Sequence, residues 1–307
     1  MRVAVVGLGP IGQEVARAIG ARSGLSLVAA VDLSPALAGA PLAQLVPGAP
    51  TIFIDGGLAA ALARGVDAVA LCTGSRIAEV APDLARAVAA GVHVVSTCEE
   101  LSWPLDAPEW SDLDAAARVA GVTLIGTGVN PGFVMDRLPL QLAGACITVA
   151  GVRVERVVDA AQRRGPLQRK IGHGLTVEEF RAGVAEGRLG HVGLAASARL
   201  VARGLGTAVA QVAERIAAVV GDDGRVLGVS QRLDATTVDG RPIALALQMS
   251  VGAPEPHDRV IIDGDPPLDV TIAGGTHGDR ATVGAVLDAL HRLPRSPRGL
   301  ITIAEMY

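Results

Sequence analysis

Short apolar runs rich in Val, Ile, Leu and Ala recur through the first 126 residues, each closed by a turn signal or a helix start. The runs at 2–6, 27–32, 51–54, 68–72, 92–97 and 122–126 have strand length, and their continuous rather than alternating character predicts burial on both faces. Between them, 11–21, 76–90 and 113–120 carry helical patterning. Strands alternating with helices pair in parallel through right-handed crossovers, so this part is expected to be α/β, a Rossmann-type doubly wound parallel sheet.

Beyond Phe133 the pattern changes. Segments 147–160, 226–238, 243–252, 258–263 and 268–273 read as strands, and Val238-Asp239-Gly240-Arg241 is a turn signal between two of them. A second α+β domain built on a mostly antiparallel sheet is expected. Leu205, Val209, Val212, Ile216 and Val219 follow a four-three-four-three spacing, which predicts a helix over 192–220. The segment 280–293 also reads as helical. These patterns predict a first domain over 1–133, with 276–307 packing back on it, and a second over 134–275.

The chain length of 307 residues agrees with two domains. Half of the residues are hydrophobic and mean hydropathy is +0.42, yet charges interrupt every apolar run before the roughly 18 residues a membrane helix needs. The first residues lead directly into a fold motif without a leader pattern, and a cytoplasmic protein is expected. A formal charge of −4 and a pI near 5.9 supply no positive field for nucleic acid or an anionic membrane, so neither is expected as a partner. Cys72, Cys98 and Cys146 have no CxxC spacing and read as small buried hydrophobes in a reducing compartment. Lys170 is the only lysine and Tyr307 the only tyrosine. A Tyr-x-x-x-Lys catalytic pair is therefore excluded.

The first chemical motif is Gly7-Leu8-Gly9-Pro10-Ile11-Gly12, directly after a predicted strand and opening a predicted helix. Asp32 ends the next strand, and together these features match a dinucleotide fingerprint. Gly7 permits the tight turn, Gly9 lets backbone approach the pyrophosphate, Gly12 allows close helix packing, and Pro10 and Ile11 open the helix that receives the phosphates. Asp32 is expected on the ribose diol; its alternative is to cap a short helix starting near Pro35. A carboxylate there repels a 2′-phosphate and no arginine follows it, which favours NAD(H), with NADP(H) as the alternative.

In such sheets the ligand lies beyond the carboxyl ends of the strands at the switch point. Those ends read Cys72-Thr73-Gly74-Ser75 and Ser96-Thr97-Cys98-Glu99-Glu100. Thr73, Gly74, Ser75 and Thr97 are cofactor candidates, set against a plain strand-to-helix loop. Of the two acids, one near the nicotinamide would exchange protons with an amine or hydroxyl during hydride transfer; the bland reading is a pair favoured by a helix dipole. Asn130-Pro131 follows the sixth strand, where Asn130 would meet the nicotinamide unless the turn is purely structural. Trp103 and Phe133 are scarce aromatics that would wall a substrate cavity or fill a core. His173 and His191, in glycine-flanked turns, are substrate-orienting candidates, whereas His93 inside a strand reads as structural. No His, Asp, Glu or Cys spacing points to a metal.

Cys98-Glu99-Glu100-Leu101 and Gly126-Thr127-Gly128-Val129-Asn130-Pro131-Gly132-Phe133-Val134-Met135-Asp136 resemble the 2,4-diaminopentanoate dehydrogenase family and the related native amine dehydrogenases, whose first domain is similar to dihydrodipicolinate reductase. Gln168-Arg169-Lys170-Ile171-Gly172-His173-Gly174, Gly190-His191-Val192-Gly193-Leu194 and Gly278-Asp279-Arg280-Ala281-Thr282 extend the likeness over nearly the whole chain. The resemblance implies NAD(P)-dependent oxidative deamination of a primary amine, reversibly the reductive amination of a ketone or aldehyde with ammonia. It further implies a glutamate in 98–101 as the catalytic group, Glu100 ahead of Glu99, and a homodimer formed through the second domain, which also serves the substrate. The His-His pair and Lys-x-Asp-x-Pro-Ser-Gly-Thr stretch of dihydrodipicolinate reductases are missing, which disfavours that reaction. A substrate carboxylate would need an arginine such as Arg156, Arg163, Arg164 or Arg169. Alternatives are 2,4-diaminopentanoate dehydrogenase proper, an alcohol, hydroxy-acid or imine dehydrogenase on the same frame, and a non-catalytic NAD-sensing protein.

Overall fold

The computed structural model describes residues 1–104, 110–161 and 165–307, in which the chain divides into two compact units: Met1–Phe133 with His277–Tyr307, and Val134–Thr276. The first unit begins β1 (Arg2–Val6), α1 (Pro10–Ile19), β2 (Ser26–Val31), β3 (Ile54–Asp55), α2 (Leu58–Leu62), β4 (Ala68–Leu71), α3 (Ile77–Ala89), β5 (His93–Ser96), α4 (Trp110–Val119) and β6 (Thr123–Gly126). The second holds α5 (Arg137–Ala143), β7 (Thr148–Asp159), α6 (Gly165–Lys170), α7 (Val177–Ala185), α8 (Leu194–Gly204), β8 (Val209–Val220), β9 (Val226–Thr237), β10 (Pro242–Ser250), β11 (His257–Asp265) and β12 (Leu268–Ala273). The chain then returns to the first unit as α9 (Gly278–Arg292), β13 (Gly299–Ile301) and α10 (Ile303–Met306).

All strands of the first unit run parallel, in the order β3-β2-β1-β4-β5-β6-β13, so the order reverses between β1 and β4. The Rossmann-type expectation from continuous apolar runs is thereby met. Val3–Val6, Ala68–Leu71 and Leu124–Ile125 are buried along their whole length because helices cover both faces. Helix α3 buries Val80, Leu84, Ala87 and Val88, one stripe at helical spacing, and α9 buries Val283, Val286, Leu287 and Leu290 in the same manner. Two details differ from the sequence reading. The strand expected over 51–54 shrinks to the two residues of β3, and β13, three residues long, carries too little pattern to be seen in advance.

In the second unit the sheet order is β12-β11-β7-β10-β9-β8, antiparallel throughout except where β7 runs parallel to β10. Strands β9 and β10 alternate buried and exposed side chains, as a sheet covered on one face requires, and α5 and α8 pack on it. The helix expected over 192–220 is corrected here. Helix α8 ends at Gly204, Gly206 adopts φ +73°, and the chain re-enters the sheet as β8, paired antiparallel with β9. The apolar spacing that mimicked a helix comes from a β-branched strand, Val209 to Val220, whose partner strand decides its conformation.

One buried ion pair ties β7 to β11. Arg156 on β7 donates to both Asp258 oxygens at 2.7 and 2.9 Å and to the Thr276 carbonyl at 2.8 Å; the Thr276 N–H returns to Asp258 at 2.6 Å. Both charged side chains are almost fully buried. Removing one partner strands the other in an apolar interior, at a cost of about 3–5 kcal/mol. Asp258→Ala is therefore expected to lose that much in urea unfolding, and the double replacement Arg156→Met with Asp258→Leu to lose clearly less.

Candidate active site

The fingerprint is a steric construction. Gly7 has φ +86°, and a Cβ there would lie 2.7 Å from the Cys72 carbonyl oxygen. A Cβ at Gly12 would fall 1.8 Å from the Gly7 carbonyl, so any side chain would force α1 off the loop. At Gly9, the N-cap of α1, a Cβ would meet nothing, and no side chain caps the helix. Pro10 occupies the first turn, where its missing N–H costs nothing, and Ile11 follows half-buried. A diphosphate fits this cradle: open space in front of Gly9 faces first-turn amides that no side chain satisfies.

Asp32 follows β2 and braces the loop. One carboxylate oxygen accepts from the Leu8 N–H and the other from the Ser34 N–H, each at 2.8 Å. The carboxylate is half-buried, and each oxygen keeps a second lone pair for a ribose hydroxyl. The bracing role went unforeseen. It resembles the capping alternative, except that residues 35–39 form turns and no helix.

At the ends of β4 and β5, Thr73 and Ser75 are exposed and Gly74 half-buried. Gly74 lacks the Cβ that would strike the Glu79 carboxylate. Thr97 is half-buried, its N–H donates to the Leu71 carbonyl at 3.0 Å, and its side chain hydrogen-bonds Cys72. Burial pushes the Cys72 thiol up to about 12 and the Cys98 thiol up to about 11, so both are inert at neutral pH.

The acid turn is fixed by its neighbours. Glu100 opens a 3-10 turn, Glu100–Ser102, against which Gly126 of β6 packs so closely that a Cβ would reach 2.6 Å from the Leu101 carbonyl carbon. The Glu100 N–H donates to the Ser75 carbonyl at 3.2 Å, and its Oε2 accepts from the Ile77 N–H, the first amide of α3, at 2.8 Å. The carboxylate is thus oriented by a backbone donor while the side chain stays exposed. Glu99 is half-buried. Beside them Trp103 is half-buried, with its indole N–H buried and unpartnered, and the Thr127 hydroxyl at the end of β6 is likewise buried without a partner. Asn130 and Phe133 are half-buried in the turn after β6, where the Val129 N–H reaches Thr282 of α9 at 3.3 Å.

Sequence reasoning missed the contribution of α9. Its first turn and that of α1 line one cleft of about 610 Å³, with Pro10, Ile11 and Glu14 facing His277, Asp279 and Arg280. The stretch Gly278-Asp279-Arg280-Ala281-Thr282 is the signal that the sequence holds, but nothing local connects it to residues about 270 positions earlier. His93 accepts from the Thr123 N–H at 2.9 Å and is structural, as its place in a strand implied.

In the second unit, His173 is exposed between Gly172 and Gly174, both at positive φ. His191 is half-buried, and its Nε2 is buried without a hydrogen-bond partner. Burial, reinforced by the nearby Lys170 and Arg156 cations, pulls the His191 imidazole down to about 3. Of the arginines considered for a carboxylate, Arg156 is consumed by Asp258, Arg169 is exposed, and Arg163 and Arg164 lie outside the described residues. Among the described residues, no group of three or more His, Cys, Asp or Glu side chains is placed to hold a metal, and no helix is long and apolar enough to cross a membrane.

A dinucleotide fingerprint at the switch point of a parallel sheet, with a carboxylate oriented beyond its fifth strand, marks an oxidoreductase of the dehydrogenase class. Residues 133–307 match the 2,4-diaminopentanoate dehydrogenase C-terminal domain, more than half of the chain, and the protein belongs to that family. It is 28% identical to 2,4-diaminopentanoate dehydrogenase of Acetoanaerobium sticklandii over 79% of this chain and 74% of that one. Amine dehydrogenase of Streptomyces virginiae is 25% identical across 94% of this chain and 89% of its own. The fold superposes on amine dehydrogenase from Mycobacterium smegmatis with a TM-score of 0.84 at 20% identity, covering 99% of this chain and 95% of the other.

Burial holds His93 as well as His191 below the ordinary imidazole value, so the native state resists protons that the unfolded chain accepts. Their contribution is complete above the unfolded pKa of about 6.5 and is lost as pH falls below it, at about 1.4 kcal/mol per pH unit for a histidine kept fully neutral. Urea-derived stability is expected to drop on going from pH 7 to 5, and His191→Asn to flatten that slope.

Proposed function

We propose that the protein is an NAD(H)-dependent amine dehydrogenase that converts a primary amine, water and oxidised cofactor into a ketone or aldehyde, ammonium and reduced cofactor, and runs in reverse as reductive amination. The observation that carries this reading is Glu100, an exposed side chain beyond β5 whose Oε2 is held by the Ile77 amide, in the same unit as the diphosphate cradle. The relatives in the family, one of them named an amine dehydrogenase, support an amine nitrogen as the partner of that carboxylate.

A bound nicotinamide supplies the hydride acceptor. Glu100 accepts a proton from the substrate ammonium, which frees the nitrogen lone pair. Hydride transfer leaves an iminium on the substrate; once the exposed Glu100 carboxyl has passed its proton to solvent, the regenerated carboxylate stabilises that cation. The same carboxylate takes a proton from the attacking water and returns it to the departing ammonia. Asp32 binds the adenosine ribose through the lone pairs its backbone donors leave open, and Arg280 adds positive charge at the cleft shared by α1 and α9. Trp103, with Phe133, walls the substrate side.

NADH oxidation with small ketones and aldehydes is expected to require ammonium; equal rates without it would move the protein to the alcohol or hydroxy-acid reading, and tight cofactor binding without turnover to the sensing one. Glu100→Gln is expected to lower kcat at least a hundredfold with little change in Tm, and Glu99→Gln to keep kcat within about tenfold; the opposite pattern transfers the proton-carrying role to Glu99. Titration of both cofactors is expected to favour NADH over NADPH by at least tenfold, with Asp32→Ser narrowing that ratio. Tighter NADPH binding would remove Asp32 from the ribose.

A further inference from the structure

Beneath His191 lies a polar device to which the reaction as described assigns no part. Gln231 projects from β9 toward the helix-covered face of its sheet and is 2% exposed. Its side-chain amide is paired on both sides with the backbone of one residue: Oε1 accepts from the His191 N–H at 2.8 Å and Nε2 donates to the His191 carbonyl at 2.9 Å. The second proton of Nε2 goes to Glu214 Oε1 on β8 at 2.6 Å. The amide orientation is thereby set, because only the oxygen can meet a backbone N–H and only the nitrogen can meet a carboxylate. Leu189 is followed by Gly190 at φ +110°, where a Cβ would press on Ile216 and the Gln231 oxygen, and Gly193 at φ +121° starts α8. His191 therefore sits between two glycine hinges, and its backbone is anchored by a side chain from another element.

A loop between glycines loses conformational entropy when ordered, and a buried glutamine with every donor used is costly to place. The imidazole it fixes has a buried Nε2 with no hydrogen-bond partner in the protein, a polar atom whose hydrogen-bonding capacity is left open for a ligand. We propose that Gln231 is a positioning residue that, oriented by Glu214, clamps the His191 peptide so that Nε2 is presented to a hydrogen-bonding group of the substrate. The inference rests on the reading of the protein as an amine dehydrogenase and adds to it that the substrate reaches His191. Gln231 itself touches neither substrate nor cofactor.

The test is a double-mutant cycle on the full-length enzyme with the best ketone of the ammonium screen. Gln231→Met keeps the volume and removes all three hydrogen bonds. It is expected to raise KM for the ketone about tenfold while kcat stays within threefold and the NADH Kd is unchanged. His191→Asn is expected to raise KM as much, and the double variant no further. A Gln231→Met enzyme with wild-type KM, or an effect that adds in full to that of His191→Asn, overturns the proposal. Glu214→Ala, at an exposed site on an edge strand, is expected to raise KM about threefold; if Gln231→Met does not fold, an unchanged KM in Glu214→Ala overturns it instead. Should wild-type protein bind NADH yet turn over no ketone or amine, the amine dehydrogenase reading fails by itself. The clamp is then read from the His191 imidazole ¹⁵N signals, assigned with His191→Asn: a single sharp set in the wild type that broadens in Gln231→Met and Glu214→Ala supports it, and identical signals in all of them overturn it.

Discussion

Between Gly7 and Gly12 there is no room for a carbon atom, and the nucleotide-binding half of the molecule depends on that contact. A methyl group on Gly12 would overlap the Gly7 carbonyl. The close approach sets the first turn of α1 directly over the end of β1, so its uncapped amides face the place where the strand order reverses. Asp32 then holds the loop from the side through Leu8. Steric exclusion supplies the position here, and a single carboxylate supplies the rigidity. The helix dipole can only act on a phosphate because both are in place first.

The same economy governs the acid turn. A carboxylate free in solution accepts a proton at no defined angle, whereas Glu100 is oriented by the first amide of α3 and by the contact of its turn with β6. In unit two the corresponding task falls to polar side chains buried in the sheet. Arg156 and Asp258 fasten the exit of the chain at Thr276, and Gln231 fastens the peptide of His191. Buried polar groups of this kind contribute specificity of arrangement more than stability, since each must first offset its own desolvation.

Much of this was legible in the sequence wherever the physics is local. Parallel strands buried on both faces need unbroken apolar runs, and 2–6, 68–72 and 122–126 have them; a phosphate loop needs glycines at fixed spacing directly after a strand. The sequence motifs carried enough specific residues to mark the family, which the match of 133–307 to its C-terminal domain and the likeness to 2,4-diaminopentanoate dehydrogenase over 79% of this chain bear out. Prediction failed at 192–220, where spacing alone could not separate a helix from a β-branched strand, and at β13, whose three residues hold no period.

By itself, then, the order of residues determined the α/β character of the first unit, the turn chemistry of its nucleotide loop, and which side chains were chemically able to serve, because propensity, steric bulk and pKa-bearing groups are properties of short segments. Only the tertiary structure decided that 209–220 is a strand, that α9 shares a cleft with α1, that Arg156 is spent on Asp258, and that Gln231 reaches His191 across 40 positions. Those outcomes depend on hydrogen bonds and contacts between residues far apart in the chain, whose geometry exists only after the sheets have formed.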